Sequence, residues 1–332
     1  ADLAQVILGH TLPNLGKEAD GKGVGQEGTM GQEELACLVW ALAQYHRLGK
    51  KSEADLAWPG GNSGGWIETV ASALDSYLQK KADSDAVAAP GGTGLADTRL
   101  CLGLMVLAGG KEWPQIKARL SPEAQQRLEL TLAQANDEPI PQNATQASAE
   151  LAKAGARLAL GIQQKEAVSY HLRFFLDYLK QHSDTGTPGA YGVVDAAGLG
   201  APSGVFDATG LARLMEVCRL IGLCPAYLRL LPHLIRQDGL SWSYGAEAGV
   251  HGQLYSIDLL LHALGQGWVA QDKLPVYHSL LRRLFQYFFT TYVDLEHGSL
   301  VVRDAERGLP QSYSLARVNL EAVAHLSHWA MM

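Results

Sequence analysis

The chain has 332 residues, of which 47% are hydrophobic and 18% charged. That is ample apolar material for a large buried core and far from the composition of a disordered chain. A formal net charge of -7 and a pI near 5.9 repel phosphate backbones on average and exclude a general nucleic-acid binder. No apolar run reaches the roughly 18–20 residues a membrane span needs.

Residues 1–31 read as a Gly-rich N-terminal extension. Helical periodicity then dominates. Residues 32–48 place Leu35, Leu38, Val39, Leu42 and Tyr45 on one face, and residues 66–81 do the same with Ile67, Val70, Leu74, Tyr77 and Leu78. Between them, residues 58–65 carry too much Gly and Pro for a helix. A helix over 97–107 is expected, with Asp97 or Thr98 as its cap. Ser121-Pro122-Glu123 is a start signal, a capping Ser followed by Pro at the first helical position, for a helix to about residue 135. An alanine-rich helix over 142–163 and another over 165–182 follow.

Residues 183–205 hold six Gly and two Pro and form the longest irregular stretch. Helices are expected again over 206–221, 225–236, 252–264, 274–292 and 314–329, about eleven in all. Residues 299–303 are the one strand-like segment. The four cysteines, Cys37, Cys101, Cys218 and Cys224, form no C-x-x-C pair and read as buried free thiols.

This rhythm is that of antiparallel helical hairpins. Long connections are expected at 58–65, 86–95, 183–205, 237–250 and 293–311, with short turns at 137–141 and 222–224. Alternation of the two would gather the long connections at one end. The fold class is therefore all-α, a single-domain α/α toroid of about five to six hairpins, with an open α-solenoid as the alternative. No strict sequence period favours a consensus repeat.

Binding groups concentrate in long loops. Residues 237–255 are the richest: Asp238-Gly239 makes a tight turn, and Trp242, Tyr244, Glu247, His251 and Tyr255 follow. His251 is expected near a helix N-terminus, where the dipole favours the neutral imidazole. This order, Asp-Gly, then aromatic and polar residues, then His or Tyr opening an apolar helix, resembles a segment of the α/α-toroid domains of heparinase- and chondroitinase-type polysaccharide lyases. The resemblance covers residues 238–264. Uncharacterised bacterial single-domain toroids are similar too, whereas those lyases carry a β-sandwich domain with no counterpart in these residues.

The resemblance implies His251 or Tyr255 as base and acid, removing a proton alpha to a uronate carboxyl group. Such chemistry needs an amide or a cation to neutralise the carboxylate, and Asn143 and Arg303 are the candidates. The bland alternatives are a structural or capping His251, an N-capping Asn143, and an Arg303 paired with Asp304 or Glu306. A hydrolase would instead use two carboxylates across a cleft, with Asp195, Asp207, Asp238 and Glu247 available and Tyr191, Trp242 and Tyr244 to stack on sugars.

The expected partner is an oligo- or polysaccharide, with no cofactor and no metal. A start at Ala1-Asp2 suits a processed end, and a glycan enzyme of this kind would be secreted or periplasmic. The class remains open between a lyase or hydrolase and a non-catalytic helical scaffold. Other matches are empty of chemistry: Gly61-Asn62-Ser63-Gly64-Gly65 has no strand before it, Gly91-Gly92-Thr93-Gly94 lacks the phosphate-loop Lys, and Asp83-Ser84-Asp85 is a solvated helix end.

Overall fold

The computed structural model describes residues 2–15, 30–48, 65–85, 94–132, 144–162, 216–220, 222, 245–294, 299–300, 302–303, 310–311 and 316–332. They form α1 (Asp2–Thr11), α2 (Gln32–Arg47), α3 (Gly65–Asp85), α4 (Gly94–Ala108), α5 (Trp113–Arg119), α6 (Pro122–Leu132), α7 (Ala144–Ala159), α8 (Gly245–Gly265), α9 (Leu274–Thr291) and α10 (Ala316–Trp329). Residues 216–220 are helical as well. The expected helices over 165–182 and 225–236 and the expected stretch 183–205 lie outside the described residues.

Two kinds of helix are distinguishable by burial. In α2 every residue from Leu35 to Tyr45 is buried, and in α10 burial is nearly complete, reaching even Asn319, Glu321, His325 and His328. By contrast, α9 buries only Leu280, Leu284 and Phe288, and α6 only Ala124, Leu128 and Leu132. Spacing of four residues gives the single apolar stripe of an outer-layer helix. The first kind is enclosed on all sides and forms an inner layer.

Side-chain contacts set the direction of the inner helices. Glu33 meets Arg317, and seven and eight residues further on Trp40 meets His325, so α2 and α10 run parallel. Arg99 meets Glu33, and Gly103 lies against Trp40, so α4 runs the same way. Tyr255 meets Glu321, and His262 lies beside His328, which adds α8. At the far end of α2, His46 stacks on Trp66 at 3.8 Å, so α3 returns antiparallel. Parallel inner helices with antiparallel returns are the α/α toroid the hairpin rhythm predicts.

The chain therefore enters α2, α4, α8 and α10 at one shared end, here called the mouth. The connections before α4, α8 and α10 arrive there as expected. The connection over 58–65 does not: it leads from the end of α2 to the start of α3, at the opposite end. Local composition marks a loop but carries no information on which end of a bundle it joins.

Several local features depart from expectation. Residues 2–11 are a helix packed on α10, with Ala4, Ile7 and Leu8 fully buried, rather than part of an extension. Trp113–Arg119 adds a short helix with Pro114 in its first turn. Asp97 does not cap α4, which starts earlier, at Gly94. Its buried carboxylate instead accepts from Tyr77 Oη at 2.6 Å and from Lys81 Nζ at 2.8 Å. Ser121 does cap α6, accepting from the Ala124 N–H at 3.1 Å. The strand-like segment splits into two antiparallel ladders, β1 (Val293–Asp294) with β2 (Ser299–Leu300) and β3 (Val302–Arg303) with β4 (Pro310–Gln311). Cys37, Cys101 and Cys218 are buried free thiols, and burial pushes Cys101 and Cys218 up to about 12, while Cys224 is outside the described residues.

Gly103 sets the spacing of α2 and α4. A methyl group there would sit 3.0 Å from the Trp40 backbone nitrogen and 3.1 Å from its Cα. Backbone cannot yield as a flexible side chain does, so the helix-propensity gain of about 1 kcal/mol is outweighed. Gly103→Ala should lose roughly 1–3 kcal/mol in a urea melt, whereas Gly109→Ala, with no neighbour closer than 3.6 Å, should be close to neutral.

Candidate functional site

Side chains of α4 and α10, which flank α2 on opposite sides, meet each other. That is geometrically feasible only across the inward face of α2, since α3 covers it from outside. The contact is Arg99 Nη2 donating to Glu321 Oε2 at 3.1 Å. Glu321 Oε1 accepts from Tyr255 Oη at 3.0 Å, bringing in α8. Both carboxylate oxygens are thus used, and Arg99 and Glu321 are 3% and 0% exposed. Burial works against the Arg99 charge, but Glu321 foremost, with further help from Glu33, holds its pKa above the ordinary value.

Towards the mouth the same network opens. Arg99 Nη1 and Arg317 Nη1 both donate to Glu33 Oε2, at 3.2 and 3.0 Å. Glu33 is 36% and Arg317 28% exposed. Glu33 is the second residue of α2, and Arg317 the second of α10, so this partly open charge cluster sits on the rim. Helix geometry alone places it there, and sequence reading had no signal for it beyond the acidic first turn of α2.

Deeper along the axis lies a second polar group. Asp258 of α8 receives His328 Nδ1 in a very short contact and has His325 Nδ1 at 3.4 Å. Arg219, in the 216–220 helical segment, pairs with Glu216 and donates to His328 Nε2 at 3.0 Å. A guanidinium only donates and a carboxylate only accepts, so these two contacts fix the His328 proton on Nδ1. Burial opposes the Asp258 charge, yet His328 and His325 keep its carboxyl well below the usual range. His262, one turn further on α8, is pushed down to about 4 by burial and then by the Arg219 charge. Among the described residues no group of three or more His, Cys, Asp or Glu is arranged to hold a metal ion.

The expected site residues divide unevenly. Tyr255 is fully buried, stacked 6.1 Å from Trp40, with its proton committed to Glu321. Positions 247, 251, 255, 258 and 262 share one face of α8 by helical repeat, with 247 and 251 on the mouth side of Tyr255. The side chains of Glu247 and His251 are outside the described residues. Because α8 starts at Gly245, position 251 is in the second turn, not at the N-terminus as expected, and the dipole has fallen off there. The strand carrying Arg303 packs against α8, although its side chain is not among those described. Asn143, Tyr191, Asp195, Asp207, Asp238, Trp242 and Tyr244 all lie outside the described residues. A hollow of about 170 Å³ lies between α2 and α3, lined by Leu38, Glu68, Thr69, Ser72 and Ser76.

Two outcomes follow from the buried charges. Glu321→Ala leaves Arg99 without its main partner in the interior and should cost about 3–5 kcal/mol in chemical denaturation. Acid should also destabilise the ring. His262 is neutral when folded and takes a proton near 6.5 when unfolded, so stability falls as pH drops from there towards 4. The Asp258 contribution is complete above its ordinary 3.8 and is lost below it. In melting curves from pH 7 to pH 3, His262→Gln should flatten the upper part of the decline and Asp258→Asn the lower part, each relative to wild type.

No protein-family model and no curated protein sequence matches the chain. A solved structure does: a possible member of the GH105 family from Salmonella enterica subsp. enterica serovar Paratyphi A str. ATCC 9150, at 14% sequence identity and a TM-score of 0.54. The likeness covers 99% of this chain and 93% of that one. At that identity it shows the fold alone, and the fold is the α/α toroid.

Proposed function

We propose that the chain is a glycan-active enzyme, a polysaccharide lyase or glycoside hydrolase working at the mouth of the ring. The observation that carries the reading is the rim itself. Parallel inner helices bring Glu33 and Arg317, both solvent-reachable, to the end where the chain enters α2, α4, α8 and α10. The reading is supported by helical repeat, which puts position 251 one turn before the buried Tyr255 on α8, and by the strand of Arg303, which packs on the same helix. The structural likeness to a possible GH105 member, from a glycoside hydrolase family, supports a saccharide substrate at the level of fold.

In this reading His251 is the base and Tyr255, whose hydroxyl is closed off, positions the stripe from beneath. Arg303 and Asn143 remain the candidates to neutralise a carboxylate in the lyase form. Asp238, Glu247 and Asp207 supply the carboxylates in the hydrolase form, and Trp242, Tyr244 and Tyr191 the sugar-stacking faces. A non-catalytic glycan- or protein-binding scaffold is the second reading. One observation favours it: the described axis is filled, with Trp40, Tyr255, His325 and Glu321 at most 1% exposed.

Incubation with a panel of neutral and uronate polysaccharides separates these. Ultraviolet absorbance of an unsaturated uronate product is expected from a lyase, and new reducing ends without absorbance from a hydrolase. His251→Ala should lower the lyase rate by roughly two to four orders of magnitude, the usual scale of a lost general base. No product in either assay, with glycan binding intact in wild type and in His251→Ala, would establish the scaffold instead.

A further inference from the structure

Two inner helices, α2 and α8, pack with the helix that follows each in the chain, α3 and α9. The last inner helix, α10, is covered differently. Its far end meets α9, where the Trp329 ring lies 5.4 Å from Phe285 and 5.7 Å from Phe288. Its other outer cover is α1, from the opposite end of the sequence. The first of these helices ends at Thr11 and the other begins at Ala316, so no turn joins them. Non-covalent contact alone holds α1 in place.

Helical repeat gives the face of α10 that lies under α1. Arg317, Glu321 and His325 turn to the axis, where they meet α2, α4 and α8. Asn319, Val323 and Leu326 fall on the opposite side. Asn319 Oδ1 accepts from the Leu300 N–H of β2 at 3.0 Å, and β2 itself packs on α1. The outward stripe of α10 is thus on the side of α1, whose Ala4, Ile7, Leu8 and Leu12 are buried. Without α1 this stripe would meet water, and the mouth half of α10 would lose its outer support.

The clasping helix itself is lightly held. It has ten residues, fewer than the roughly 12–15 at which an isolated helix becomes even marginal in water. Its outer side is open at Val6, which is 49% exposed. In α2, by contrast, every residue from Leu35 to Tyr45 is buried. Segments with few buried contacts open at a lower free energy than the core around them.

We infer that α1 is a reversible clasp on the ring. Docked, it closes the outer face of α10 and keeps the mouth half of that helix level with α2, so that Arg317 meets Glu33. Released, it frees that half and opens the rim at this pair. Rim geometry is thereby set from outside the ring, by a helix that contributes none of the rim charges. The inference is independent of what the mouth binds.

The test is hydrogen exchange of the full chain, read by mass spectrometry on overlapping fragments. In the unaltered protein, residues 2–11 should exchange about tenfold or more faster than the hydrogen-bonded core of α4, the mark of opening without global unfolding. Leu8→Ala should speed exchange in α1 and in residues 320–326 of α10 together, about tenfold or more, while α4 keeps its wild-type rate. Ile7→Val should give the same pattern in smaller steps, and serves if Leu8→Ala does not fold. Val6→Ala, on the open side, should change neither segment. An α1 as protected as α4 in the unaltered protein overturns the clasp. So does a response of the Leu8 or Ile7 variant that is absent, confined to α1, or spread equally over all helices, and so does a matching response from Val6→Ala.

Discussion

Glu321 is the constraint on which the ring depends. It sits fully buried on α10 and is satisfied from two directions, by Arg99 of α4 and by Tyr255 of α8. Three helices that are far apart in sequence are thereby fixed at one level along the axis. Dehydrating an ion pair costs several kcal/mol per charge, so such a pair is weak support for stability as such. Its effect is geometric. A hydrophobic seam between parallel helices tolerates sliding, whereas a carboxylate with both oxygens engaged accepts one register.

That register decides where the rim charges and the proposed site positions fall. With α2, α4, α8 and α10 level, the second residues of α2 and α10 meet as Glu33 and Arg317 at the rim. On α8 the same alignment leaves positions 247 and 251 on the mouth side of Tyr255, and Asp258 and His262 on the far side. The axis is thus graded. Its rim is charged and solvent-reachable, its middle is an aromatic plug of Trp40, Tyr255 and His325, and its far part is a closed Asp–His–Arg group. The aromatic plug lies between the two charged regions and touches both, through Tyr255 on Glu321 and His325 beside Asp258.

Much of the fold is legible locally. The apolar periodicity of residues 32–48, 66–81 and 274–292 gives helices within a few residues of those observed, because a buried stripe is a property of neighbouring residues. Ser121-Pro122 gives a helix start for the same reason, as the cap and its N–H partner are three residues apart. Asp97 shows the limit. As a sequence it is a plausible cap, but its partners, Tyr77 and Lys81, come from α3, and no local pattern announces them. The N-terminal helix escaped notice because the glycines of residues 21–31 dominate the composition around it.

The sequence by itself determined that the chain is helical, that its helices pair as hairpins, and that polar and aromatic residues cluster between 237 and 255. Those are matters of propensity, periodicity and composition, each decided within a few turns of chain. Only the tertiary structure decided which polar residues face the axis and at what height. Glu33, Arg99, Tyr255, Arg317 and Glu321 are separated by up to 288 positions in the chain. They become one network because parallel inner helices turn sequence distance into adjacency, and long-range packing is the one term no local window contains.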